Sequence, residues 1–198
     1  MTKSKSTAAA AKSKAVAKAK AIAPERSARI GSTPQTKFRG DPAIFGQLVA
    51  DHDLHRALLA MIADSDGDRT NRSKLFAELN RELKAHAAAE EQALWSTVLR
   101  NPATTADGRH AVAEHKQIDD MLGDLAARDM SKKGWIKRFD ALKDKYLHHL
   151  REEEQEQFVA AENILTVADK RYMLRVFNRR KSEEKAAAKL EPKILLKA

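Results

Sequence analysis

The stretch His86-Ala87-Ala88-Ala89-Glu90-Glu91 limits what this chain can fold into more than any other. It recurs as His149-Leu150-Arg151-Glu152-Glu153-Glu154. In each copy a histidine precedes a glutamate by four positions, and a second glutamate follows at once. On a helix, positions i and i+4 share a face about 6 Å apart, so an imidazole nitrogen and a carboxylate oxygen can meet at one metal ion. The alanines between His86 and Glu90 ask for no apolar partner on that side. Two such helices facing each other bring two histidines and two carboxylates to one centre. Dinuclear carboxylate sites in helical bundles are assembled in this way.

The rest of the chain favours helix as strongly. Among 198 residues there are 7 glycines and 5 prolines, and aromatics are 5%. Alanine, leucine, lysine and glutamate dominate, and no alternating strand pattern emerges. With no cysteine, disulfides, thiolate metal sites, iron–sulfur clusters and thiol catalysis are excluded, and any metal must be held by nitrogen and oxygen. No apolar run approaches the ~20 residues of a membrane span. Residues 1–23 lack the apolar core of a secretory signal, so the expected compartment is the cytoplasm. The formal charge of +9 lies wholly in residues 1–40, where ten Lys/Arg face Glu25 alone; the remainder is neutral.

Residues 1–40 are rich in Lys, Ala and Ser and have no large apolar residues at helical spacing. They read as a disordered tail, which either contacts nucleic acid or another polyanion or serves only as a solubilising, weakly sticking arm. Asp41-Pro42 reads as an N-cap and first helical residue, opening a helix over Pro42–Ala63. The Asp64-Ser65-Asp66-Gly67-Asp68 run lacks the glycine and glutamate positions of a calcium loop and reads as a polar connection. A second helix runs from Asn71 or Ser73 to Leu99, a third from Thr104 to Ala127, and a fourth from Lys132 to Asn163 with Ser131 as candidate N-cap. Short connections between four long amphipathic helices predict an all-α, up-down-up-down four-helix bundle. A fifth, highly charged helix follows over Val167–Leu190. The implied organisation is a tail over 1–40, a bundle over 41–165 and a basic helix with its own tail over 166–198.

The inner faces of the four helices carry His52, His86 with Glu90, His115, and His149 with Glu153. Six such groups cannot be buried together without partners. A metal centre satisfies them all, and imidazole with carboxylate favours iron, with manganese or zinc as alternatives. Glu91 and Glu154 beside them can accept from imidazole N–H groups or be solvated. His55 reads as a partly exposed helix residue, His110 and His148 as outward-facing, and Trp95, Phe139, Tyr146 and Phe158 as core.

Asp51-His52, His86 to Glu91, Glu114-His115 and His148 to Glu154 fall in the order and spacing of the hemerythrin-like family, with its HHE cation-binding domain, and the resemblance covers about residues 41–165. It implies a non-haem centre of two iron ions, oxo- or hydroxo-bridged, inside a four-helix bundle. His52, His86, His115 and His149 would be terminal ligands, and Glu90 and Glu153 the bridges. Members bind dioxygen or nitric oxide, sense oxygen or iron, or show modest peroxide chemistry. Oxygen-carrying members have a further histidine one turn after the first histidine of the third helix. Here that position is Asp119, which either ligates in its place or points away and leaves an iron open. Both options disfavour reversible oxygen carriage and favour a reactive centre suited to a sensor or a peroxide-consuming protein. The competing reading is a helical interaction protein whose basic tail contacts nucleic acid, with the metal structural or absent.

Overall fold

Two apolar clusters with a polar layer between them organise the molecule. The computed structural model describes residues 2–30, 35–65 and 68–188. Six helices account for most of it, and no strand occurs among the described residues. Helix α1 spans Thr2–Ile22 and α2 Ile44–Ala63. Helix α3 begins as Arg69–Glu90, passes through a π-helical turn at Glu91–Trp95, and ends as Ser96–Val98. Helix α4 spans Thr105–Ala126. Helix α5 runs Lys133–Glu152, through a second π-helical turn at Glu153–Gln157, to Phe158–Glu162. Helix α6 spans Val167–Ala187. Helix α2 packs on α3 and α5, and α4 also packs on α3 and α5.

One apolar cluster gathers Leu54, Leu58, Phe76, Leu83, Ile118, Leu122, Phe139 and Leu150; the other gathers Phe45, Val49, Leu94, Trp95, Ala111, Phe158 and Phe177. The chain crosses from the second cluster to the first along α2, back along α3, across again along α4, and back along α5. At each crossing stand His52, His86 with Glu90, His115, and His149 with Glu153. Leucine at these positions would have merged the two clusters, so the polar layer interrupts the core at one level.

Helix ends follow local chemistry more closely than the spacing of apolar residues foretells. Helix α2 starts at Ile44 rather than Pro42, with Asp41 accepting instead from the Ala43 amide at 2.8 Å. Helix α3 starts at Arg69 because Asp68 caps it, accepting from the Asn71 amide at 3.1 Å. Ser131 is not a cap; it donates to Asp129, and Lys132 takes the cap position without a side-chain bond. Helix α6 opens on a reciprocal box between Thr166 and Asp169. Asp66 and Gly67 of the expected loop, and the expected end of the last helix at Leu190, lie outside the described residues.

The N-terminal expectation needs correction. Residues 2–22 form a helix rather than a disordered tail, and α1 packs along α2. Its inward residues are Ala15 and Ala19, and Ala23 just past its end continues the line, all at exposures of 3% or less. Methyl groups every fourth residue make a narrow stripe that lets two backbones come close. A search for large apolar residues passes over such a stripe, and alanine is the best helix former. Arg26 extends the attachment, donating to Asp68 at 2.6 Å.

Candidate metal centre

The first HxxxE segment ends directly before a π-helical turn, and the second runs into one at Glu153. A π turn adds one residue to the winding, widens the backbone and often marks a functional site. Here it lets consecutive glutamates both serve the polar layer. Glu153 and Glu154 are buried side by side. Glu90 is buried while Glu91, its side chain 40% exposed, still reaches His115.

All four histidines share one orientation. Nδ1 of His52 meets Glu154 Oε1 at 2.9 Å, and Nδ1 of His86 meets Asp51 Oδ2 at 3.1 Å. Nδ1 of His115 meets Glu91 Oε1 at 2.9 Å, and Nδ1 of His149 meets Glu114 Oε2 at 2.9 Å. An ionised carboxylate can only accept, so each Nδ1 carries a proton and Nε2 is the nitrogen each ring turns inward. Carboxylate–histidine pairs of this kind fix the tautomer and raise the basicity of a ring that ligates through its other nitrogen.

Inside this ring of imidazoles sit Glu90 and Glu153, both fully buried. None of their four carboxylate oxygens has a hydrogen-bond partner. His52 Nε2 lies 3.4 Å from Glu153, His149 Nε2 3.4 Å from Glu153, His86 Nε2 3.6 Å from Glu90, and His115 Nε2 3.5 Å from Glu90. These contacts are too long for directed hydrogen bonds. His52 and His86 bring their Nε2 atoms to 3.2 Å. Two imidazole nitrogens at that distance, with carboxylate oxygens around them, form a nitrogen–oxygen cage that a divalent or trivalent cation fits. The groups His52, His86, Glu153 and His115, His149, Glu153 each gather their ligand atoms closely enough to hold an ion.

The local electrostatics ask for positive charge. Burial, reinforced by the Glu90 carboxylate, pushes the Glu153 carboxyl well above its usual range. Burial would lower His115, but the Glu90 and Glu91 carboxylates outweigh it and hold the ring up at about 9. Burial drives His52 and His55 well below the usual imidazole range and His149 down to about 4. Neutral rings are the form a metal requires, so an ion bound at His115 displaces a proton from that ring.

A cavity of about 30 Å³ reaches this layer, bounded by His86, His115, Tyr146 and His149 on the inside and by Lys84 and Asp119 at its mouth. That volume admits a water-sized or diatomic molecule. Asp119 is placed at the rim, one-third exposed, with Lys84 Nζ 2.9 Å from its Oδ1. His55, expected to be partly exposed, is instead fully buried, and its Nδ1 shares a hydrogen bond with the Tyr146 hydroxyl at 2.8 Å. His110 and His148 are exposed, as the spacing indicates. Sequence reasoning gave no role to Asp51 and Glu114. Each immediately precedes a site histidine (His52, His115) but serves the histidine of a neighbouring helix (His86, His149), and adjacency in sequence hides that exchange.

The fold and this buried His/Glu layer define a helical protein with a cation-binding site. Comparison with known proteins agrees: the pattern of the hemerythrin HHE cation binding domain matches residues 43–161, more than half of the chain. The chain belongs to that family. No curated protein and no solved structure matches it.

Proposed function

We propose that the chain is a hemerythrin-like non-haem di-iron protein that binds or senses dioxygen, nitric oxide or peroxide. The observation carrying this reading is the shared orientation of four imidazoles, each Nδ1 on a carboxylate and each Nε2 turned toward two carboxylates without partners. His52 and His86 would hold one ion and His115 and His149 the other, with Glu90 and Glu153 shared between them. Manganese or zinc would fit the same donors less well matched to the chemistry. When bound, iron supplies a redox-active Lewis acid to which a small ligand can attach. The chain's own residues keep His52 and His149 neutral, exclude bulk water with two apolar layers, and admit only small molecules past Lys84 and Asp119.

The reading takes α2 to α5 as the bundle, over about residues 41–165, in the up-down-up-down order supported by the alternating traverse of the two apolar clusters. It places the protein in the cytoplasm. Beyond the bundle, Val167–Ala187 adds a helix against it. A second reading concerns Lys14 and Lys18, exposed one turn apart on α1. They offer a cationic face to a nucleic acid, whose binding would weaken steeply with salt.

The decisive experiment is metal analysis and near-ultraviolet absorption of protein isolated from iron-replete cells. Two irons per chain with a bridged-iron absorption band are expected. Protein without metal, or with full metal in both Glu90→Ala and Glu153→Ala, would overturn the assignment.

A further inference from the structure

The family pattern ends at residue 161, but the chain does not leave the centre there. Helix α6 packs on α3 and also reaches α2. Its inward residues are Met173, Phe177, Lys181 and Lys185, one every fourth position. Phe177, fully buried, meets the His86 ring edge-on with centroids 5.6 Å apart. One turn later the Lys181 ammonium lies 2.6 Å from Asp51 Oδ2 and 3.1 Å from Glu82 Oε2. Asp51 Oδ2 is the oxygen that accepts from His86 Nδ1, while Asp51 Oδ1 accepts from Gln47 at 3.0 Å. Lys185 closes on the other oxygen of Glu82.

A lysine this deep, its side chain 13% exposed, is tolerated only when paired. Asp51 and Glu82 provide that pairing, and the geometry makes Asp51 the link. It spans from the α6 ammonium to the imidazole N–H of His86. The opposite pair of histidines has a different backing: Glu114 takes Lys145 of α5, and Glu91 lies in α3.

We propose that Lys181 is a positioning residue of the metal centre, through which α6 pins Asp51 and thereby fixes His86 with Nε2 turned inward. The cation-binding site is then built from five helices, the fifth being this chain's addition to the matched domain. Because Lys181 acts on His86 alone among the four histidines, it governs the ion held by His52 and His86 and leaves the ion at His115 and His149 largely untouched. This rests on the metal-binding reading above.

The test is a cobalt(II) titration of chelator-stripped full-length protein, followed by visible ligand-field absorption, which reports affinity and geometry without any activity. Wild type should take up two ions. Lys181→Met should weaken one of the two by about 10- to 100-fold, the usual cost of losing an outer hydrogen-bonding partner, and leave the other unchanged. Lys181→Arg, which keeps the charge, should restore most of the loss. Lys185→Met, on the same helix but one turn from Asp51, should change neither ion. If Lys181 acts through Asp51, adding Lys181→Met to Asp51→Asn should cost no more than Asp51→Asn alone, whereas independent effects would multiply. Should Lys181→Met fail to fold, Lys181→Gln gives the same comparison. Two wild-type affinities in the lysine variant, equal weakening of both ions, or a multiplicative double variant would each overturn the proposal. A wild type that takes up no cobalt would instead overturn the metal reading beneath it.

Discussion

A site built for a cation should be a liability in the protein stripped of one, and Glu153 offers the clearest measure. Its two carboxylate oxygens are buried and unpartnered. An unsatisfied buried polar group costs about 1–3 kcal/mol. Against this stand the long contacts to His52 and His149, both 3.4 Å, each contributing about 1 kcal/mol at most. Glu153→Met keeps the volume and removes the buried carboxyl group. It should stabilise the chelator-treated protein by about 1–4 kcal/mol, the range seen when buried ionic groups give way to apolar ones. In a chain of this size that raises the melting midpoint by roughly 3–12 °C. Added metal should reverse the order: at a hundredfold excess over its dissociation constant, one bound ion adds about 2.7 kcal/mol to wild type and little to the variant. Thermal melts by far-ultraviolet circular dichroism, in chelator and in iron(II) under anaerobic conditions, make both comparisons. A variant that melts below wild type in chelator would refute the reasoning, because Glu153 would then be a satisfied structural group.

Three further expectations follow from the geometry. His149 is held down to about 4 by burial, against the pull of Glu114. The folded ring therefore stays neutral while the unfolded one gains a proton below about 6.5. Metal-free stability should fall between pH 6.5 and pH 4, by up to about 3 kcal/mol from this ring; denaturant titrations showing the same slope in His149→Phe as in wild type would sink that attribution. Deleting residues 1–23 removes the buried methyls of Ala15, Ala19 and Ala23, and at about 0.8 kcal/mol for each such group should cost roughly 2 kcal/mol; an unchanged melting midpoint would mean that α1 contributes nothing to the body. Asp119 sits at the cavity mouth beside Lys84. Asp119→Ala should therefore keep full iron content while altering the rate of nitric oxide binding in stopped-flow absorption, and loss of an iron would instead make Asp119 a ligand.

The six inward groups could be read from the sequence because a helix converts spacing directly into facing. His86 with Glu90 and His149 with Glu153 obey the i, i+4 rule without help from tertiary structure. Asp51 and Glu114 could not be found this way. Their partners, His86 and His149, are 35 residues away in each case, and only the packing of neighbouring helices decides which carboxylate backs which ring. The N-terminal helix escaped for a different reason. Hydrophobic patterning looks for large side chains, whereas α1 attaches through alanines, whose burial is worth little singly and whose helix propensity is highest.

The π-helical turns show why reading inward positions from the sequence left the polar layer incomplete. A regular α-helix turns about 100° per residue, so a residue next to an inward ligand is carried off the inner face. By that rule Glu91 and Glu154 divide evenly between solvent and the site. The structure winds an extra residue into each helix at Glu91–Trp95 and Glu153–Gln157. Glu154 is thereby held inside, against His52 and against Arg56 Nη2 at 2.7 Å, and Arg56 itself is tied to Asp53 and through it to Arg39. Glu91 reaches His115 from the helix surface. The sequence HxxxEE thus encodes two placements in consecutive letters, a carboxylate inside the ring of imidazoles and a carboxylate facing a neighbouring imidazole. A uniform helix cannot present both, and the local unwinding is the backbone's accommodation to that demand.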